Sequence, residues 1–403
     1  MTSSPAGNAG ALRFPGLDGT RALGALLVLT THVGFQSGAA LNGPFNGVLS
    51  RMDSGVAIFF VISGFLLARP HFVAWVSGSA PPASRTYLWH RVLRILPALW
   101  ITVIAAWVLL RREDASWVPY ARHAALVQIY SRGNGTTGLT QMWSLSVEVA
   151  FYLLLPVLGW VLSRGPATRR GLGVRLAILA VTPLAGAAWM AWSAAVAHPL
   201  SALWLPGFLG WFGLGMMLAL WSAGASAGLV DARPSAAIVR HRRTVWALAG
   251  AVYLVATSVV AGPYSLKAPT PGEAATKSLL YAAFGLLVVL PSAIELLPRP
   301  AVAGTGAVMG RVASFLGDIS YGIFCYHLIV LGLVERATGH QVFGGGFLTL
   351  WPLTVAGTVL VAAVSFYAVE RPVMRRGRGS RRRPAEDDAT GHAASATASS
   401  TSH

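Results

Sequence analysis

An arginine and a histidine separated by ten residues, Arg21 and His32, stand at the two ends of a nearly unbroken apolar run. On a helix, eleven steps of 100° return His32 to within roughly 20° of Arg21, about 16 Å further along the axis. If the run spans a bilayer, the arginine lies near one surface and the imidazole lies around or beyond the middle. An imidazole at that depth is costly unless it has a partner or a reaction to serve. Four further stretches carry chemistry-bearing groups. Phe59 to Phe65 places Ser63 before Gly64, where another helix or a ligand can approach closely. Arg91 and Arg94, at i and i+3, share a helix face and offer planar donor forks suited to phosphate. Trp143 to Tyr152 carries Glu148, a carboxylate that must pair, protonate or line a wet cavity. Ile319 to His327 ends on a second histidine, and Glu370-Arg371-Pro372 reads as a helix end.

These groups suit acyl transfer. The reaction needs a base for an attacking hydroxyl, or a nucleophile that carries the acyl group, and His32 suits either role. Coenzyme A carries several phosphates, which matches Arg91 and Arg94. The sequence contains no Walker loop, dinucleotide fingerprint or metal-ligand cluster, so no metal site and no tightly bound cofactor is expected.

The elements that position these residues are membrane helices. The chain has 403 residues, 54% hydrophobic and 11% charged, with mean hydropathy +0.59. Soluble domains carry about 25% charged residues. Ten spans are expected, at 22–38, 54–68, 93–110, 143–162, 174–196, 203–221, 245–262, 278–297, 312–334 and 347–369. The fold class is therefore all-α, a polytopic protein of about ten transmembrane helices. Alternate connections hold 23 basic residues on one side and 8 on the other, which puts both termini in the cytoplasm. The net charge of +17 follows membrane topology, so no nucleic-acid partner is expected. Residues 1–13 and 373–403 are expected to be disordered tails around a 14–372 membrane domain. The single cysteine, Cys325, excludes a disulfide framework. Only two of the 31 basic residues are lysine, a bias that points to a GC-rich, actinobacterial genome.

In order along the chain these motifs resemble integral-membrane acyltransferase family 3, whose members O-acylate sugars, glycolipids, envelope polymers and macrolides. The matches are Arg21 with His32, Phe59 to Phe65, Arg91 with Arg94, Trp143 to Tyr152, Ile319 to His327, and Glu370-Arg371-Pro372. The resemblance implies that His32 is catalytic and that Glu148 supports it or the acceptor. It places Arg21, Arg91 and Arg94, with Ser63, on the side of an acyl-CoA donor, acetyl-CoA being the family's commonest. It implies a multi-pass protein of the cell membrane acting on a sugar-containing, glycolipid or macrolide acceptor. Two positions depart from the pattern. Ala57 stands where an acidic residue often precedes the Phe-Phe pair, with Asp53 nearby but off register, and Ile329 stands near the place of a common proline. A transporter or flippase of a lipid-linked or phosphorylated solute accounts equally for ten helices and buried charges. It does not account for the histidine, the arginine pair and the Ser-Gly turn occurring together.

Overall fold

The computed structural model describes residues 14–111, 113–131, 135–196, 200–264, 267–294 and 305–379. Residues 1–13, 380–403 and several arginines in the charge count (Arg13, Arg112, Arg132, Arg299 and Arg381 to Arg383) lie outside them. Among the described residues the chain is helical, with no strand. Ten long helices occupy the ten expected segments. They are α1 (Pro15–Gln36), α2 (Gly55–Ser77), α3 (Ser84–Ala105), α4 (Trp143–Leu162), α5 (Arg169–Ala195), α6 (Leu205–Ser226), α7 (Arg242–Ala256), α8 (Pro271–Ala293), α9 (Thr305–Thr338) and α10 (Phe347–Ser365). A short basic helix, α11 (Arg371–Gly379), follows. The disordered tail expected from 373 therefore begins with helix.

Among the described residues eight helices are long and apolar enough to cross a membrane, and α1 and α7 are not among them. At 15 residues α7 reaches about 22 Å, short of a hydrocarbon core of about 30 Å. The polar first turns of α1 lower its hydropathy, but it packs along α9 over the same thickness. A side chain at Gly317 would press into the backbone of Asp18, while Gln36 Nε2 donates to Glu335 Oε2 at 3.3 Å. Those two pairings make α1 and α9 parallel neighbours, as the odd number of intervening spans, α2 to α8, requires. The chain is a polytopic, all-α membrane protein.

Several helix ends differ from expectation for identifiable reasons. Helix α1 starts seven residues early, because Pro15 fits the first turn and Asp18 complements the helix dipole there. Helix α2 runs through Pro70 to Ser77. Interior prolines also occur in α3, α4, α5, α8 and α10. Neighbouring helices and local backbone adjustment allow this within a bilayer.

The core of the bundle forms where α2, α4 and α6 meet. Phe151, Phe212 and Phe60 stack with centroid separations of 4.0 and 4.4 Å. Gly64 and Gly215 let the α2 and α6 backbones touch, since a methyl on Gly64 would collide with the carbonyl of Phe212. This close crossing fixes the face that α2 presents to α4, and with it the direction of Ser63.

Candidate active site

Five helices converge on a narrow cavity of about 90 Å³. Arg21 comes from α1, Phe59 and Ser63 from α2, Arg91 and Arg94 from α3, Glu148 and Tyr152 from α4, and Tyr321 and Phe324 from α9. The helical repeat explains each set. Ser144, Leu145, Glu148 and Tyr152 fall on one face of α4, and Ser320, Tyr321 and Phe324 on one face of α9. Gln141 Nε2 donates to the carbonyl of Cys325 at 2.9 Å, tying the approach to α4 to the middle of α9. Tyr321 donates to the carbonyl of Ile95 at 2.8 Å, tying α9 to α3 beside the arginine pair.

The polar groups of the cavity are linked. The Ser63 hydroxyl donates to Glu148 Oε1. Arg21 Nη1 meets Asp18 Oδ1 at 3.2 Å, one turn earlier on α1. The Arg91 guanidinium lies 5.9 Å from the centre of the Tyr152 ring, and its Nε is buried without a hydrogen-bond partner. Five of the six residues singled out from the sequence, Arg21, Ser63, Arg91, Arg94 and Glu148, line this one cavity.

The sixth, His32, is not among the residues lining it. Its ring partner is on α9, one turn beyond the cavity wall. Phe324 lines the cavity, and its ring lies 6.3 Å from that of His327. The His327 ring lies 5.0 Å from that of His32, with His327 Nε2 3.3 Å from His32 Nδ1. Of the two roles expected for Glu148, support of the histidine or of the acceptor, no direct bond to the histidine is seen: the ring partner of His32 is His327, and Glu148 accepts from Ser63.

The histidine pair has a definite hydrogen-bond sense. His327 Nδ1 lies 3.1 Å from the carbonyl of Ile323, and His32 Nδ1 lies 2.7 Å from the carbonyl of Val28. A carbonyl only accepts, so both Nδ1 atoms carry the proton. His327 Nε2 then holds a lone pair facing His32 Nδ1, whose single N–H is shared with the nearer Val28 carbonyl. His32 Nε2 is left unprotonated, with its lone pair free to take a proton or attack a carbonyl carbon. His327 is 1% exposed, so this orientation is held inside the protein.

The sequence reading missed three features here. Asp18 falls before the expected first span at 22–38, yet it lies inside α1 against Arg21. Phe324 is one turn before His327, and the spacing 320, 324, 327 was the available signal. Asp53, off register for the family pattern, accepts from Lys277 Nζ at 2.8 Å and from the Tyr281 hydroxyl, so its partners lie on α8.

Comparison with known proteins identifies the family. An acyltransferase domain model matches residues 14–370. Nodulation protein 10 of Rhizobium leguminosarum is 26% identical over 386 residues, covering 89% of this chain and 92% of that protein. Acyltransferase MdmB of Streptomyces mycarofaciens is 26% identical over 434 residues, covering 95% and 97%. Peptidoglycan O-acetyltransferase OatA of Listeria monocytogenes is 22% identical over 396 residues, covering 90% of this chain but 56% of that longer protein. No solved structure matches. With a model match across nearly the whole helical bundle, the chain belongs to the integral-membrane acyltransferase family 3 and is an acyltransferase.

Proposed function

We propose that this protein is a membrane O-acyltransferase of the cell membrane. It moves an acyl group, acetyl in the simplest case, from cytoplasmic acyl-CoA to a hydroxyl of a sugar-containing acceptor. The observation that carries this reading is the hydrogen-bond sense of the histidine pair, which leaves His32 Nε2 with a free lone pair. The name of one relative, a peptidoglycan O-acetyltransferase, supports a carbohydrate polymer as the acceptor class.

In this reading Arg21, Arg91 and Arg94 attract the anionic donor from the cytoplasmic side, and its thioester arm enters the narrow cavity. Ser63 and Glu148 line the path of that arm. The thioester passes Phe324 to reach His32. His32 Nε2 takes the acceptor hydroxyl's proton as the oxygen attacks the thioester carbonyl carbon. A carbon–oxygen bond forms and the carbon–sulfur bond breaks. The departing coenzyme A sulfur recovers the proton from His32. His327 positions the imidazole throughout and does not touch substrate.

The test uses the full chain in phosphatidylcholine vesicles with [¹⁴C]acetyl-CoA and candidate acceptors, including peptidoglycan fragments. The expected product is labelled, base-labile ester. Counterflow of an unmodified solute without any ester product would replace this reading with the transporter.

A further inference from the structure

A second cavity adjoins the first. It has a volume of about 300 Å³ and is lined by Arg21, Arg94, Arg371 and Arg375, with Asp318 as its one carboxylate. Arg21 and Arg94 line both spaces, so they form the threshold between them. Arg371 and Arg375 are one turn apart on α11 and therefore share a face. The adjoining end of α10 is a π-helical turn, Phe366–Glu370, which leads directly into Arg371. Arg371 and Arg375 are exposed on the rim, whereas Arg94 is partly buried at the threshold.

The charge of this cleft is only partly neutralised from within: Asp318 lines it, and Glu370 lies near enough to Arg94 to interact electrostatically. Among the described residues no carboxylate lies within ion-pairing distance of Arg94, Arg371 or Arg375. Arg21 pairs with Asp18, and the Arg371 guanidinium lies 5.7 Å from the centre of the Tyr367 ring. Four guanidinium groups against the single carboxylate of Asp318 leave the space net positive, which favours a further anion there. Guanidinium forks bind phosphate oxygens in pairs, with more directional specificity than lysine ammonium groups.

The two spaces in series differ in a way that selects a ligand shape. The inner cavity is the smaller, about 90 Å³ against about 300 Å³. The outer cleft is larger, basic, and on the arginine-rich side of the bundle. A ligand that fits both has a phosphorylated head and a slender arm. We infer that Arg371 and Arg375 bind phosphoryl groups of the nucleotide head of the thioester donor, with Arg94 and Arg21 at the point where its arm turns inward. This inference rests on the acyl-CoA reading above and extends the donor site onto α11.

An anionic lipid headgroup presents the same phosphate chemistry at this border, and the experiment separates the two sources. Adenosine 3′,5′-bisphosphate is titrated into the full chain in phosphatidylcholine vesicles, with and without phosphatidylglycerol. The wild type is expected to bind it, and R371Q/R375Q is expected to bind about ten- to a hundredfold more weakly. In transfer assays the KM for acetyl-CoA rises by a similar factor. The wild-type preference for acetyl-CoA over S-acetylpantetheine, measured as kcat/KM, shrinks correspondingly. The single variant R375Q, checked for a monodisperse elution profile, gives an intermediate value and guards against a misfolded double variant.

Unchanged nucleotide affinity in both variants overturns the inference. So does binding in the wild type that phosphatidylglycerol abolishes, which assigns the cleft to lipid. Nucleotide binding lost in the variant, with no transfer from any thioester by the wild type, upholds the cleft and sinks the acyl-CoA transfer reading instead.

Discussion

His32 Nδ1 and His327 Nε2 stand 3.3 Å apart on two parallel helices, 295 residues apart in sequence. The contact joins the first and ninth long helices at the depth where the arginine-lined cavity ends. It gives the half-buried His32 ring a fixed orientation, which a lone imidazole on one helix would lack.

The first prediction concerns that orientation. His327→Ala removes the acceptor facing His32 Nδ1–H. It is expected to lower kcat by about a hundredfold, within the usual range for a disturbed general base, with KM changed far less. His327→Gln, whose amide oxygen can accept the same hydrogen bond, is expected to recover part of that loss. Steady-state kinetics on both variants, with acceptor varied at saturating donor, checks it. Equal losses in both variants would assign His327 a packing role only.

The arginine pair gives a second prediction with a different kinetic signature. Arg91→Ala and Arg94→Ala each remove a cation from the cavity wall. Each is expected to raise the donor KM about tenfold, as loss of one charge-assisted contact does, with a smaller effect on kcat. Initial rates against donor concentration distinguish this from a general loss of folded protein.

Gly64 yields a prediction about stability. A methyl there collides with the Phe212 carbonyl at the α2–α6 crossing. Gly64→Ala is expected to cost about 1–3 kcal/mol, the usual range for overpacking. It should also displace Ser63 from Glu148. Thermal unfolding in detergent, followed by tryptophan fluorescence, should show a lowered Tm. An unchanged Tm would mean that the helices do not meet at Gly64.

A pH effect is expected from His123, on the short helix Val118–Ala124 between α3 and α4. Burial holds its pKa below the ordinary 6.5, although the Pro119 carbonyl, accepting from Nδ1 at 2.7 Å, opposes the shift. The folded state thus keeps the ring neutral where the unfolded chain would protonate it. Stability tied to this residue is present above pH 6.5 and falls as the pH drops below it. Unfolding curves at pH 7.5 and 5.5 should show a smaller pH-dependent loss in His123→Asn than in the wild type.

The sequence revealed the helices and most of the cavity because both depend on short-range pattern. Apolar length marked the spans, and the spacing within each motif set a helix face, so Arg91 with Arg94 and Ser63 with Glu148 were found as chemistry-bearing groups before their meeting was known. Helix ends were less legible. Pro15 starts α1 early and Pro70 does not stop α2, because a proline's freed backbone groups find other partners inside a membrane bundle. The His32–His327 contact was not legible at all. Each histidine was visible alone, but nothing local relates two residues whose meeting depends on how α1 and α9 lie together. Arg375 was hidden for a related reason. It stands in a run of basic residues that reads as a solvated tail until α11 is seen to turn it towards Arg94.

The central claim is that His32 Nε2 takes the acceptor's proton, and single-turnover transfer tests it most directly. Wild type and His32→Ala, loaded into the same vesicles with saturating labelled acetyl-CoA and acceptor, are compared for ester formed per mole of protein. The account predicts at least a thousandfold slower formation in His32→Ala, of the order expected when a general base is removed, with acetyl-CoA still bound at wild-type affinity. A His32→Ala protein that forms ester at the wild-type rate would contradict it.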